Sequence, residues 1–286
     1  MKLFKTSLIA LAGMVSANIA HAVLVNHDAG DLIVAFTASG GLGSGKTYLV
    51  SLNPAYQYRD AFAPIVSITN IGTDLVDAYG ASWFDRTDLN WGLIGVRKIS
   101  GGAENGDPNR TVYVSMARPS VATESSPISG LTGSDVSSVG ADVNSVQLTF
   151  DATDIPVYVG ANPNGAVVLT SATNSIDEFV PPTTINSFTS IPGSIMQSFA
   201  AGSYGNFGGS IGAVEGALDL QRLLRSTTGA SPTGTIGTGS FEGTIVINSS
   251  GAISFNAVPE PSTIGLLGIG LVALAMRRRS RKNQLN

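Results

Sequence analysis

The sequence predicts a mainly β protein: an antiparallel β-sandwich-like single domain with one or two short helices, an N-terminal signal peptide and a C-terminal membrane helix. Three observations predict the β body. Gly, Ser, Thr and Val are abundant between residues 23 and 258. The apolar runs there are short, of strand length, and polar turn signals recur between them. Hairpin turns stand out at Asn162-Pro-Asn-Gly165 and Ser249-Ser-Gly251. The 236 residues of 23–258 fit one domain with an ample core.

Lys2 and Lys5 precede the apolar run Leu8–Val15, and Ala20-His21-Ala22 forms an Ala-x-Ala site, so signal peptidase is expected to leave Val23 as the first residue. Leu32–Thr37 and Thr47–Leu52 read as a strand pair across a glycine-rich loop. Thr73–Tyr79 reads as a helix opened by a Thr or Asp cap and stopped at Gly80, with Ser82–Asp88 continuing it. Trp91–Val96 and Thr111–Ser115 read as strands around the polar turn Glu104–Pro108, and Ser145–Phe150 alternates as a strand does. Ile155–Val159 and Ala166–Thr170 flank the Asn162–Gly165 turn. Ala213–Leu224 places Val214, Ala217, Leu218, Leu220, Leu223 and Leu224 on one apolar helical face. Gly243–Asn248 and Ala252–Asn256 close the body as a hairpin, and Ser120–Ser145 and Pro181–Gly209 read as long loops.

The stretch after the body has three parts: Pro259-Glu260-Pro261, an apolar segment 262–276, and a basic tail 277–286. The uncharged run Thr263–Met276 would make a helix roughly 21 Å long. That is short of a hydrocarbon core of about 30 Å, but Pro261, Ser262 and snorkelling Arg277 and Arg278 extend it. Gly265, Gly268 and Gly270 suit a membrane helix better than a soluble one. Arg277, Arg278, Arg279, Arg281 and Lys282 then act as a cytoplasmic stop. Pro259 and Pro261 hold the segment before the membrane extended and open to a protease.

These three parts together resemble the PEP-CTERM sorting signal of Gram-negative bacteria. The resemblance implies recognition by an exosortase, a membrane-embedded enzyme thought to cut near the motif. Pro259, Glu260 and Pro261 are then substrate, as Ala20, Ala22 and Val23 are for signal peptidase. It also implies an inner-membrane intermediate, a final location at the cell surface or outside, and association with exopolysaccharide in a biofilm matrix. The runs Asp31–Phe36, Gly40–Gly43, Tyr48–Asn53, Leu89–Gly95 and Gly239–Phe255 are similar to a recurrent kind of PEP-CTERM exported protein, and no biochemical activity carries over with that similarity. The chain thus divides into signal peptide (1–22), β-rich extracellular domain (23–258) and sorting signal (259–286).

Composition limits the chemistry. Without Lys2, Lys5, the five basic residues of the tail and Glu260, 9 basic and 19 acidic residues remain, a net charge of −10. That disfavours nucleic acid as a partner. There is no cysteine, and His27 is the one histidine beyond the signal peptide, so thiolate zinc sites and His-rich sites are excluded.

Gly40-Gly-Leu-Gly-Ser-Gly45-Lys46-Thr47 satisfies the phosphate-loop pattern. Strand alternation and Pro54 come after it instead of a helix, so it reads as a hairpin loop with Lys46 at its tip. Asp85 with Asp88, or Asp28 with Asp31, are candidate carboxylate pairs for glycoside hydrolysis, and Asp151 with Asp154 a candidate calcium site. Each reads more simply as a solvated or capping carboxylate. Trp83 and Trp91 read as core in preference to a sugar platform. Asn109-Arg-Thr and Asn248-Ser-Ser match the glycosylation sequon. The expectation is an exported, non-enzymatic surface or matrix protein with no cofactor and no metal. The alternative is an extracellular polysaccharide-active enzyme or carbohydrate-binding module.

Overall fold

The computed structural model of the chain describes residues 30–59, 66–97, 101–118, 123–151, 158–159, 162, 164–169, 196–198, 215–230 and 234–257. Among the described residues eleven strands form one sheet: β1 (Asp31–Ala38), β2 (Lys46–Pro54), β3 (Val66–Asn70), β4 (Leu89–Val96), β5 (Val112–Ala117), β6 (Tyr158–Val159), β7 (Gly165–Leu169), β8 (Met196–Ser198), β9 (Glu215–Leu223), β10 (Gly239–Asn248) and β11 (Ala252–Ala257). Their order is β3-β11-β10-β9-β5-β4-β1-β2-β7-β6, and every pairing is antiparallel. One edge of β4 is shared, with β5 along Ile94–Val96 and β8 along Asn90–Gly92. The helices are α1 (Tyr56–Arg59), α2 (Gly72–Tyr79) and α3 (Gly133–Asp151), with a 3-10 turn at Trp83–Asp85.

β1 shows why the central strands read as unbroken apolar runs: all eight of its residues are buried. A strand covered on both faces needs apolar side chains at every position, not at alternate ones. Leu32, Val34 and Phe36 point to an inner face shared with Tyr48, Val50, Trp91, Leu93, Leu218, Leu220, Ile245 and Phe255. Ile33 and Ala35 point outward with Leu49, Ile94, Val112 and Val114, and α3 covers this outer face with Val136, Val139 and Val143. Phe36 lies between its cross-strand partners Tyr48 and Trp91. It stacks on Trp91 at 6.0 Å and meets the edge of Trp83 at 6.2 Å. Both tryptophans are therefore core, as the sequence suggested.

The expected sandwich is replaced by a single sheet that curls toward a barrel. Its two ends come within hydrogen-bond reach, where Asn162 Nδ2, between β6 and β7, donates to Thr69 Oγ1 of β3 at 2.9 Å. Register shifts between Leu32 and Ile33, Phe241 and Gly243, and Ile253 and Ser254 supply the curvature. Such irregularities increase the local twist that brings sheet ends together. α1 packs inside the curl, with the Tyr58 ring edge-on to Phe255 at 5.2 Å.

Two elements exchange type relative to the sequence reading. Ala213–Leu224 was expected to be helical, yet Glu215–Leu223 is β9, paired along its length with β10 and β5. The helical face was illusory because this strand is buried on both sides. Asp219, Gln221 and Arg222 are as fully covered as Leu218 and Leu220. Ser145–Phe150 was expected to be a strand, and Ser120–Ser145 a loop. Both contribute to the 19-residue α3. Val136, Val139 and Val143 recur at helical spacing, and Thr132 with Asp135 forms a reciprocal cap. Asp135 N–H donates to Thr132 Oγ1 at 3.2 Å, and Thr132 N–H donates to Asp135 Oδ2 at 2.7 Å. α2 ends at Gly80 as expected, but its first turn has no side-chain cap from Thr73 or Asp74. Asn70 Oδ1 accepts the Gly72 N–H at 2.9 Å, and Asp74 turns inward. The expected continuation to Asp88 is the short turn Trp83–Asp85. Part of the expected loop Pro181–Gly209 is β8.

Among the described residues no helix is long and apolar enough to cross a membrane. The expected signal peptide (1–22), with Ala20 and Ala22, and Val23 after it lie outside the described residues, as do His27, Asp28 and Asp154. So do the membrane segment 262–276, Pro259, Glu260, Pro261, Arg277, Arg278, Arg279, Arg281 and Lys282.

Candidate functional site

The glycine loop Ser39–Gly45 joins β1 to β2 with no helix after it, and Lys46 opens β2. A phosphate loop aims backbone N–H groups at an anion. Here the polarity is reversed, because backbone carbonyls converge on a cation. Arg86 donates from Nη2 to the Gly40 carbonyl (2.6 Å) and from Nη1 to the carbonyls of Leu42 (2.5 Å) and Tyr79 (2.9 Å). Its Nε and Nη2 grip Asp88 at 2.9 and 2.7 Å. The hydrogen bonds from Arg86 hold the Asp88 carboxyl below its ordinary range, and Asp88 in turn raises the guanidinium. Gly43, at φ +80°, lies so close to α2 that a Cβ would sit 2.5 Å from the Ala78 carbonyl and from the Tyr79 ring. The loop is a stapled hairpin.

Asp85 and Asp88 sit in different environments. Asp85 is exposed while Asp88 is bound to Arg86. Asp31 is buried and accepts from Ser51 Oγ at 2.6 Å. The Asn248 side chain caps the β10–β11 turn, its Oδ1 accepting from Ser250 N–H, Ser250 Oγ and Ala252 N–H. Among the described residues no group of three or more Asp, Glu or His could hold a metal ion.

The constellation that the sequence did not reveal is a buried ionic cluster. Glu104-Asn105-Gly106-Asp107 forms a two-residue hairpin turn, with Asn105 at φ 49°, Gly106 at φ 84°, and two 2.9 Å bonds between the Glu104 and Asp107 backbones. The turn delivers Asp107 inward, where its Oδ1 lies 2.8 Å from Arg59 Nη1 and 2.9 Å from Arg222 Nε. Tyr113 donates its hydroxyl to Oδ2 at 2.6 Å, and Arg59 Nη2 donates to the Asn105 carbonyl at 2.6 Å. Glu242, at the register shift of β10, accepts from Ser240 Oγ at 2.9 Å. Burial pushes the Glu242 carboxyl up, against the lowering by Ser240, Arg222 and Arg59. Burial and then the Asp107 charge push the Tyr113 hydroxyl well above its usual value. Chemically the cluster is a clasp that ties α1, the turn, β5 and β9 together.

A second buried network holds the outer face. Asp219 takes hydrogen bonds from Arg118, from Thr244 Oγ1 (2.9 Å) and from the Ser125 N–H. Gln221 accepts from Ile128 N–H at 2.8 Å and donates to Ser125 Oγ at 2.9 Å. These bonds pin residues 125–128 across the sheet just before α3.

β11 stays paired to β10 through Asn256, opposite Thr244, and Ala257, opposite Gly243. Residues 257–279 match the PEP-CTERM protein-sorting motif, so the chain carries that motif beginning at the last residue of β11. No curated protein and no solved structure matches the chain.

Proposed function

We propose that the chain is an exported, non-catalytic protein of the cell surface or extracellular matrix, delivered by a signal peptide and processed by an exosortase at Pro259–Pro261. The sorting motif at 257–279 carries this reading, because it implies export through the envelope and exosortase sorting. Residues 262–276 hold the chain in the inner membrane until the cut, with the arginines after them on the cytoplasmic side. The body then joins an exopolysaccharide matrix. A passive role is supported by how the buried charges are used: Asp107 is saturated by two guanidiniums and a phenol, and Asp219 by three donors.

One observation favours the rival reading of a polysaccharide-active enzyme, namely the raised Glu242 carboxyl, since general acids are tuned upward by burial. Incubating the exported protein with exopolysaccharide from its host separates the two. The matrix reading expects the protein to sediment with the polymer and to release no new reducing ends. Polymer cleavage that Glu242→Gln abolishes would replace it with the enzyme.

A further inference from the structure

The last described residue of β11 is the first residue of the sorting motif. The motif match opens at Ala257, and Ala257 is still paired to Gly243 of β10. Val258 alone separates it from Pro259, and five residues, Val258–Ser262, separate it from the apolar run starting at Thr263. Five residues reach at most about 18 Å. Peptide grooves commonly take a chain in extended form, satisfying the main-chain groups that a neighbouring strand would otherwise satisfy. A groove centred on Pro259–Pro261 that holds two residues on the N-terminal side must take Ala257 from Gly243.

The opposing strand is built for close contact at this point. Gly243 has φ +148°, and a Cβ there would lie 2.4 Å from the Phe255 ring and 2.6 Å from the Asn256 carbonyl. Phe255 is fully buried against Tyr58 and limits any opening from the end. Asn256 and Ala257 lie beyond it, and strand ends of this kind open locally at low free energy.

We propose that the end of β11 is a processing gate. β10 and the exosortase compete for Ala257, so the folded body retards the cut until that residue leaves the sheet. The gate rests on the exosortase reading above. It makes the rate of release depend on the fold of the body as well as on the motif.

The test uses the full chain in an exosortase-containing host, tracking conversion to the shortened form by pulse-chase and intact mass. Four variants are compared: the parent, Gly243→Ala, an insertion of Gly-Ser-Gly-Ser between Ala257 and Val258, and both changes together. The insertion lies outside the sheet and lets the groove fill without opening β11. It is expected to raise the conversion rate about tenfold, equivalent to about 1.4 kcal/mol. Gly243→Ala is expected to raise the rate at native spacing and to add nothing once the spacer is present. An inserted chain converted at the parental rate overturns the gate, and if Gly243→Ala fails to fold, this comparison decides alone. If the parent and the inserted chain both stay full length although exosortase is present, the exosortase reading itself falls.

Discussion

Asp107 and Glu242 are two carboxylates in one buried cluster with opposite effects on stability. Asp107 is bound by Arg59, Arg222 and Tyr113. Removing one partner of a buried ion pair costs about 3–5 kcal/mol, because the remaining charges stay buried without it. Asp107→Ala is expected to lower unfolding free energy by about that amount in urea titrations. Glu242 is the reverse case. Its folded pKa stands above the ordinary 4.5, with burial as the largest cause. Between those two values the folded state holds a proton that the unfolded state has lost. Stability from this group is therefore fullest below about 4.5 and falls as pH rises through the folded pKa. Glu242→Gln keeps an acceptor for Ser240 and removes that loss. It should melt higher than the parent at pH 7 and show no gain at pH 4. None of this was legible in the sequence. Arg59, Asp107, Arg222 and Glu242 are scattered along the chain, and each reads locally as a surface charge.

At the scale of elements, legibility followed burial. β1, β2, β4 and the β10–β11 hairpin were readable because apolar runs and turn residues point to the same structure. β9 and α3 were misread for different reasons. Polar residues usually mark the solvent face, and in β9 they are consumed inside by hydrogen bonds to Arg118, Ser125, Ile128 and Asp107. In α3 a sparse valine stripe is all the helix needs to cover β4 and β5. The glycine loop shows the opposite lesson, since its phosphate-loop pattern was rightly discounted from the missing helix. Gly43→Ala is expected to destabilise the body by about 1–3 kcal/mol, because a Cβ there strains the backbone and meets α2. Addition of magnesium and ATP should leave the parental melting temperature unchanged. A shift of several degrees that Lys46→Ala removes would restore the phosphate-loop reading.

The whole molecule joins a curled sheet, clasped from within by ionic networks, to a sorting motif with no intervening spacer. The body explains how the chain folds without a disulfide. Curvature from three register shifts encloses one aromatic core, and α3 seals the outer face. The address explains where the body goes, and both were legible at different depths. The motif was readable, and the match at residues 257–279 contains Pro259–Pro261. The β class was readable, and the near-closure of the sheet was not, because it depends on contacts such as Asn162 to Thr69 between distant segments. The central claim is that this body is released by a cut at the motif. Its most direct test is the intact mass of the protein recovered from the cell surface and medium of hosts with and without exosortase. A chain beginning at Val23 and ending between Val258 and Ser262 is expected where the enzyme is present, and an uncut tail where it is absent. A mass that extends to Asn286 in both hosts would contradict it and make the tail a permanent anchor.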